Sequence, residues 1–142
     1  ASTKAEFPDP ENFMILPETI SKEPLGPVVR QGDSNWNDIV MWSVFALVAA
    51  EELGLNSGNV ESVRSSTTNA EIKRMLGVEG NLHEGLGLSK DWAYDIVSQA
   101  GNYAEVYEAY MGGGERGIGI TRAGSQNALW NQGGLMYSPP FR

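Results

Sequence analysis

The sequence predicts a mainly helical chain with one or two short β-strands close to its start. Three observations carry this. From Asp33 onward, apolar residues recur at helical spacing in segments closed by glycine, at Gly54, Gly77 and Gly101. Before Asp33, two short apolar runs, Phe13–Leu16 and Val28–Arg30, are bounded by prolines and turn formers, which is the pattern of strands. No internal repeat or low-complexity tract suggests another architecture.

The first eighteen residues carry Pro8, Pro10 and Pro17 and little periodicity, with Phe13-Met14-Ile15-Leu16 as a plausible strand. Pro24 and Pro27 flank Leu25-Gly26, and Val28-Val29-Arg30 follows. A proline cannot donate to a ladder, so this second run is an extended crossing or an edge strand, ended by a turn at Gln31-Gly32-Asp33. Asp33 or Ser34 then caps a helix over about Asn35–Leu53. It is apolar on nearly all sides from Ile39 to Ala50, which calls for cover from more than one direction and makes it the centre of the fold. Shorter helices are expected over Asn59–Arg64, over Asn69–Leu76 with Thr68 or Asn69 as cap, and over Ser89–Gln99. Asn102 and Glu105 have the spacing of a variant capping box opening a helix to about Met111. Tyr103, Val106, Tyr107 and Tyr110 fall on one side of it. A last helical turn is expected around Gln126–Asn131.

Composition narrows the function. Apolar residues make up 41% of the 142, enough for a core. The most apolar window, Ile39–Ala50, is too short to span a bilayer. Net charge is −8 and the sequence pI about 4.6, which disfavours nucleic acid and anionic membranes as partners. The absence of cysteine removes disulfides, thiol nucleophiles and thiolate metal sites. Ala1–Pro10 lacks the basic start and apolar stretch of a signal peptide and has no initiator Met. The expectation is a processed chain, or one that starts inside a longer gene.

The residues that could carry chemistry read better structurally. Gly112–Gly117 fits G-x-G-x-x-G, but a helix precedes it and Ile118-Gly119-Ile120 is not helical, so it is a turn rather than a dinucleotide site. His83 has no histidine at i+4 and reads as an exposed loop residue, not a metal ligand. The carboxylate pairs Glu51/Glu52 and Glu105/Glu108 read as solvated helix faces. Trp36, Trp42 and Trp92 read as core, and Trp130 as a pin for the tail. No G-x-S-x-G elbow occurs. No catalytic residue, metal site or cofactor is assigned, and an enzyme is not expected.

Several long strings do resemble a known family. Leu16-Pro17-Glu18-Thr19-Ile20-Ser21-Lys22-Glu23-Pro24-Leu25-Gly26-Pro27-Val28-Val29-Arg30-Gln31-Gly32-Asp33 is similar to the second interdomain crossing of the general L-amino-acid-binding proteins of ABC transporters. Glu51-Glu52-Leu53-Gly54, Gly85–Tyr94, Val97–Tyr103 and Asn127–Leu135 through Pro139-Pro140-Phe141-Arg142 fit the same group in order. The resemblance implies the C-terminal fragment of an α/β two-lobe periplasmic binding protein. Residues 1–19 would end the second lobe, 20–25 would be the hinge crossing, and 26–142 would return to the first lobe as its helical C-terminal part. It also implies a periplasmic location, an amino-acid ligand in the complete protein and the membrane subunits of an ABC transporter as partners. The family's ligand contacts lie mostly upstream, so no ligand-binding residue is carried onto this chain. The stretch Ile118–Gln126 is slightly longer than the family's usual link. The competing readings are a stand-alone helical interaction module and a nucleotide-dependent enzyme. Without the strands it would pair with, the N-terminal extended segment also implies self-association into a homo-oligomer.

Overall fold

The computed structural model describes residues 2–18, 20–21 and 24–142, and for Ser2 and Ala5 the backbone alone. Six α-helices occur among them: α1 (Ser2–Ala5), α2 (Ser34–Glu52), α3 (Val60–Ser66), α4 (Ala70–Met75), α5 (Trp92–Ala100) and α6 (Tyr103–Tyr110). Single 3₁₀ turns lie at Pro10–Asn12, Leu82–Leu86 and Trp130–Gln132.

Both expected strands are absent. Phe13–Leu16 and Val28–Arg30 form no strand, and among the described residues the sole β-pairing is an isolated parallel bridge between Leu129 and Met136. A strand exists by virtue of its neighbour's hydrogen bonds, and none of the described residues supplies them. The mainly helical half of the fold-class expectation holds; the strands do not. The short helix α1 and the Pro10 turn were not anticipated. The turn has proline at its first position, where a missing N–H costs nothing. The last turn falls at Trp130–Gln132 instead of Gln126–Asn131.

The expected caps operate. Asp33 accepts from the Trp36 N–H at 3.0 Å to open α2, and Asn69 accepts from Glu71 and Ile72 to open α4. Asn102 and Glu105 form the full capping box of α6: Asn102 Oδ1 accepts from the Glu105 N–H at 3.0 Å, and Glu105 Oε2 from the Asn102 N–H at 2.8 Å. Gly77 closes α4 with φ of +70°, and a Cβ there would stand 2.0 Å from the carbonyl oxygen of Lys90, so both conformation and space require glycine.

The core lies on one side of α2. Ile39, Trp42, Ala46, Ala49, Ala50 and Leu53 face Leu55, Val60, Ile72, Met75, Leu76, Leu86, Trp92, Ala93 and Val97. Thus α2 packs on α5, α6 and the Leu82–Leu86 turn, while α3 packs on α5. The alanines at 46, 49 and 50 let these elements come close to the α2 backbone. Phe141 from the tail closes this core, with its ring 5.5 Å from Trp42 and 6.2 Å from Trp92. The cover expected all round α2 is incomplete. Val40, Val44 and Phe45 on its opposite face are half-buried, Met41 is exposed, and Leu47 is half-buried.

Candidate functional site

The most conspicuous surface is the apolar arm before α2. Ile20, Leu25 and Val28 are 97%, 92% and 95% exposed, and Phe13, Met14, Ile15 and Leu16 are exposed as well. Pro27 and Val29 line a shallow groove with Asn37, Val40, Met41, Val44 and Phe45 of α2, Ile15 lines another with Ile118–Thr121, and the Phe13 ring lies 4.6 Å from that of Phe7. A lone exposed leucine is ordinary, but a run of exposed apolar residues of this kind is not. The arm contains the expected hinge, residues 20–25, of which Lys22 and Glu23 lie outside the described residues, as do Ala1 and Thr19 in the expected second-lobe segment.

A second feature lies at the C-terminal end of α2. Arg122, from the stretch following the glycine run, places Nη1 2.7 Å from Glu51 Oε1, with both side chains largely buried. Its Nε donates to the carbonyl of Asn127 at 2.7 Å, and its guanidinium lies 4.9 Å from the Tyr103 ring and 5.8 Å from the Tyr107 ring. Glu51 Oε2, Glu52 Oε1, Arg122 Nη2 and the Tyr107 hydroxyl are buried without hydrogen-bond partners. The Glu52 carboxyl is raised above its ordinary value. Burial is the main cause and the charges of Glu71 and Glu51 add to it, against the Trp130 side chain and the Ser138 backbone. Burial also pushes the Tyr103 phenol up, against the lowering pull of Arg122.

This corrects the reading of Glu51 and Glu52 as a solvated face. Glu105 and Glu108 are not an acid–base pair either, because each holds backbone. Beyond its capping role, Glu105 accepts from the Ser57 N–H at 3.1 Å and the Ser57 hydroxyl at 2.5 Å. Burial alone would raise the Glu105 carboxyl, but the hydrogen bonds from Ser57 and Asn102 bring it below its ordinary value. Beside it the Asn102 side-chain amide donates to the carbonyl of Leu55 at 2.7 Å, fastening α6 to the turn after α2.

The glycine run is a closed turn. Glu108 Oε1 accepts from the Gly113 N–H at 2.8 Å, and the Gly114 N–H donates to the Glu108 carbonyl at 3.0 Å. Amides that could meet a phosphate are thus taken by a carboxylate and a carbonyl of the preceding helix. His83 is half-buried within the Leu82–Leu86 turn instead of exposed on a loop. Of the tryptophans, Trp92 is buried and Trp42 half-buried, but Trp36 and Trp130 are exposed, because Trp36 sits on the first turn of α2 before the core begins. Tyr107 is the buried member of the α6 face, while Tyr110 is exposed. Among the described residues no group of His, Asp or Glu is arranged to hold a metal ion, and no helix is long and apolar enough to cross a membrane. Arg122 was missed at the sequence level, where nothing distinguishes it from any other loop arginine.

Over its whole length the chain is homologous to amino-acid-binding proteins of ABC transporters. It is 54% identical over 142 residues to the glutamate/glutamine/aspartate/asparagine-binding protein BztA of Rhodobacter capsulatus. It is 46% identical over 143 aligned positions, covering 99% of the chain, to the general L-amino acid-binding periplasmic protein AapJ of Rhizobium johnstonii. In each case it spans 41% of the relative's length. Among solved structures, an ABC transporter periplasmic binding protein from Brucella ovis with glutathione bound matches 98% of the chain at 45% identity and a TM-score of 0.87, with 43% of that protein covered. No protein-family model matches the chain. The relatives carry the names of binding proteins and none that of an enzyme.

Proposed function

We propose that the chain is part of the solute-binding component of an ABC transporter for amino-acid uptake, working in the periplasm with the transporter's membrane subunits and having no catalytic activity of its own. Residues 1–19 end the second lobe, 20–25 form the hinge crossing, and 26–142 complete the first lobe as a helical scaffold. The observation that carries this reading is a 54% identity, without a break in coverage, to a protein named for the amino acids it binds. The bare apolar arm and the half-covered outer face of α2 support it, since both fit a scaffold that leans on further chain. The ligand class is the L-amino acids or small molecules built from them, a range that takes in the glutathione named for the Brucella ovis protein. The main cavities among the described residues are open to solvent, and a cleft needs two walls to bury its contents.

The test joins this chain to the complementary portion of BztA and measures calorimetric binding of a panel of L-amino acids and glutathione. The chimera should bind at least one member, and the 142-residue chain alone should bind none tightly. A folded chimera with no affinity for the panel, or micromolar affinity in the chain alone, would overturn the reading. In the first case a stand-alone helical interaction module becomes the better account.

A further inference from the structure

Arg122 is held at three places at once. Its Nε donates to the Asn127 carbonyl at 2.7 Å, its Nη1 to Glu51 Oε1 at 2.7 Å, and its guanidinium lies 4.9 Å from the Tyr103 ring. A planar group fixed at two of its nitrogens and against a ring cannot turn to find another acceptor. A buried guanidinium and carboxylate commonly meet fork to fork, through two parallel hydrogen bonds. Here the contact is one-armed, and both second arms, Arg122 Nη2 and Glu51 Oε2, are buried without a protein partner. Two more atoms are in the same position: Glu52 Oε1, from the next residue of α2, and the hydroxyl of Tyr107. Tyr107 is 5% exposed, and its ring lies 5.8 Å from the Arg122 guanidinium. Among the described residues these four are the whole set of buried side-chain polar atoms without a partner, and they fall in one cluster at the C-terminal end of α2.

We propose that this cluster is a binding site for one internal water molecule, held between the donors of Arg122 and Tyr107 and the acceptors of Glu51 and Glu52. The chemistry of the four atoms is the complement of water. Arg122 Nη2 and the Tyr107 hydroxyl donate to its two lone pairs, and its two protons go to Glu51 Oε2 and Glu52 Oε1. Leaving such groups unpaired would cost the desolvation of each, and buried water makes about three hydrogen bonds to groups of this kind, whereas the cavities that stay dry are apolar. The Arg122 charge beside the carboxylates disfavours a cation in the same place, and the two carboxylates disfavour an anion. The four atoms are buried by this chain's own side chains, so further chain laid on its surface leaves the site closed. The inference does not depend on the transport reading.

A high-resolution crystal structure of the 142-residue chain, with oxygen-17 magnetic relaxation dispersion to count waters that exchange more slowly than the protein tumbles, tests this. The crystal should show one water within hydrogen-bond distance of about three or all of the four atoms. The double variant Glu51→Leu/Arg122→Met replaces one donor and one acceptor by apolar groups and should lose one long-lived water from the dispersion. Tyr107→Phe keeps the ring and removes a single hydroxyl, so it should shorten the residence of that water about tenfold, and it decides the matter if the double variant does not fold. A crystal in which the four atoms pair directly with one another or hold an ion, or a dispersion that neither variant changes, overturns the proposal.

Discussion

Arg122 reaches across 71 residues of sequence to place its guanidinium 2.7 Å from Glu51 at the end of α2, between the carboxylate and the faces of two tyrosines. The pair is largely buried, and this sets what its removal costs. Arg122→Ala leaves a carboxylate without its counter-charge beside Glu52 and should destabilise the chain by about 3–5 kcal/mol. Replacing both partners, as Glu51→Leu with Arg122→Met, should recover most of that loss, because no charge is then stranded. Urea unfolding of the two single variants and the double variant measures the coupling. Additive losses would show that the two residues act independently.

Glu105 and Glu52 respond to pH in opposite directions. The folded state holds Glu105 below its ordinary value, so its ionised form contributes stability that is present above the unfolded value and lost as pH falls through the folded one. Glu52 is raised, so the folded state keeps its proton longer, and stability drops as pH rises from the unfolded value to the folded one. Glu105→Gln should therefore cost about 1 kcal/mol at neutral pH, because a neutral amide oxygen replaces the charged acceptor of the Asn102 and Ser57 hydrogen bonds, and progressively less in acid. Glu52→Gln should stabilise at neutral pH and lose that advantage in acid. Thermal melts of both variants from neutral to acidic pH check the two signs.

The tail is structural, and Phe141 is the residue that makes it so. Its ring is buried against Trp42 and Trp92, and its backbone is tied to α4 by Arg74 Nε donating to its carbonyl at 2.9 Å. Phe141→Ala should cost about 3–5 kcal/mol, a large share of the stability of a chain this size. Trp36→Ala, at an exposed site on the first turn of α2, should change it by less than about 1 kcal/mol. Denaturant midpoints of the two variants give the comparison.

At Gly77 any side chain would need a left-handed conformation and would run into the Lys90 carbonyl. Gly77→Ala should destabilise by at least about 2 kcal/mol, because the conformational penalty of about 1–2 kcal/mol is joined by a clash with backbone that cannot swing away. Gly87, also at positive φ but with open space where its Cβ would be, should lose only the conformational part on substitution by alanine. Equal losses at the two positions would show that the contact with Lys90 is relaxed in solution.

The sequence by itself determined the five helices from α2 to α6 and most of their ends, though not α1, the turns at Pro10–Asn12 and Leu82–Leu86 or the start of α5 at Trp92, since capping and periodicity depend on residues a few positions apart. Asp33, Asn69, the Asn102–Glu105 box and the glycine stops at 54, 77 and 101 were all legible for that reason. It also carried the resemblance to amino-acid-binding proteins, because long strings survive as strings. What only the tertiary structure decided depends on partners far away in the chain. The runs Phe13–Leu16 and Val28–Arg30 have the composition of strands yet remain unpaired, since a strand is defined by its neighbour. Glu51 and Glu52 looked solvated by their type and helical position, and became buried once Arg122 folded over the end of α2. The two faces of α2 are alike in hydrophobicity. Packing of Leu55, Trp92, Val97 and Phe141 against Trp42, Ala46 and Ala50 decided which face became core and which stayed half-covered.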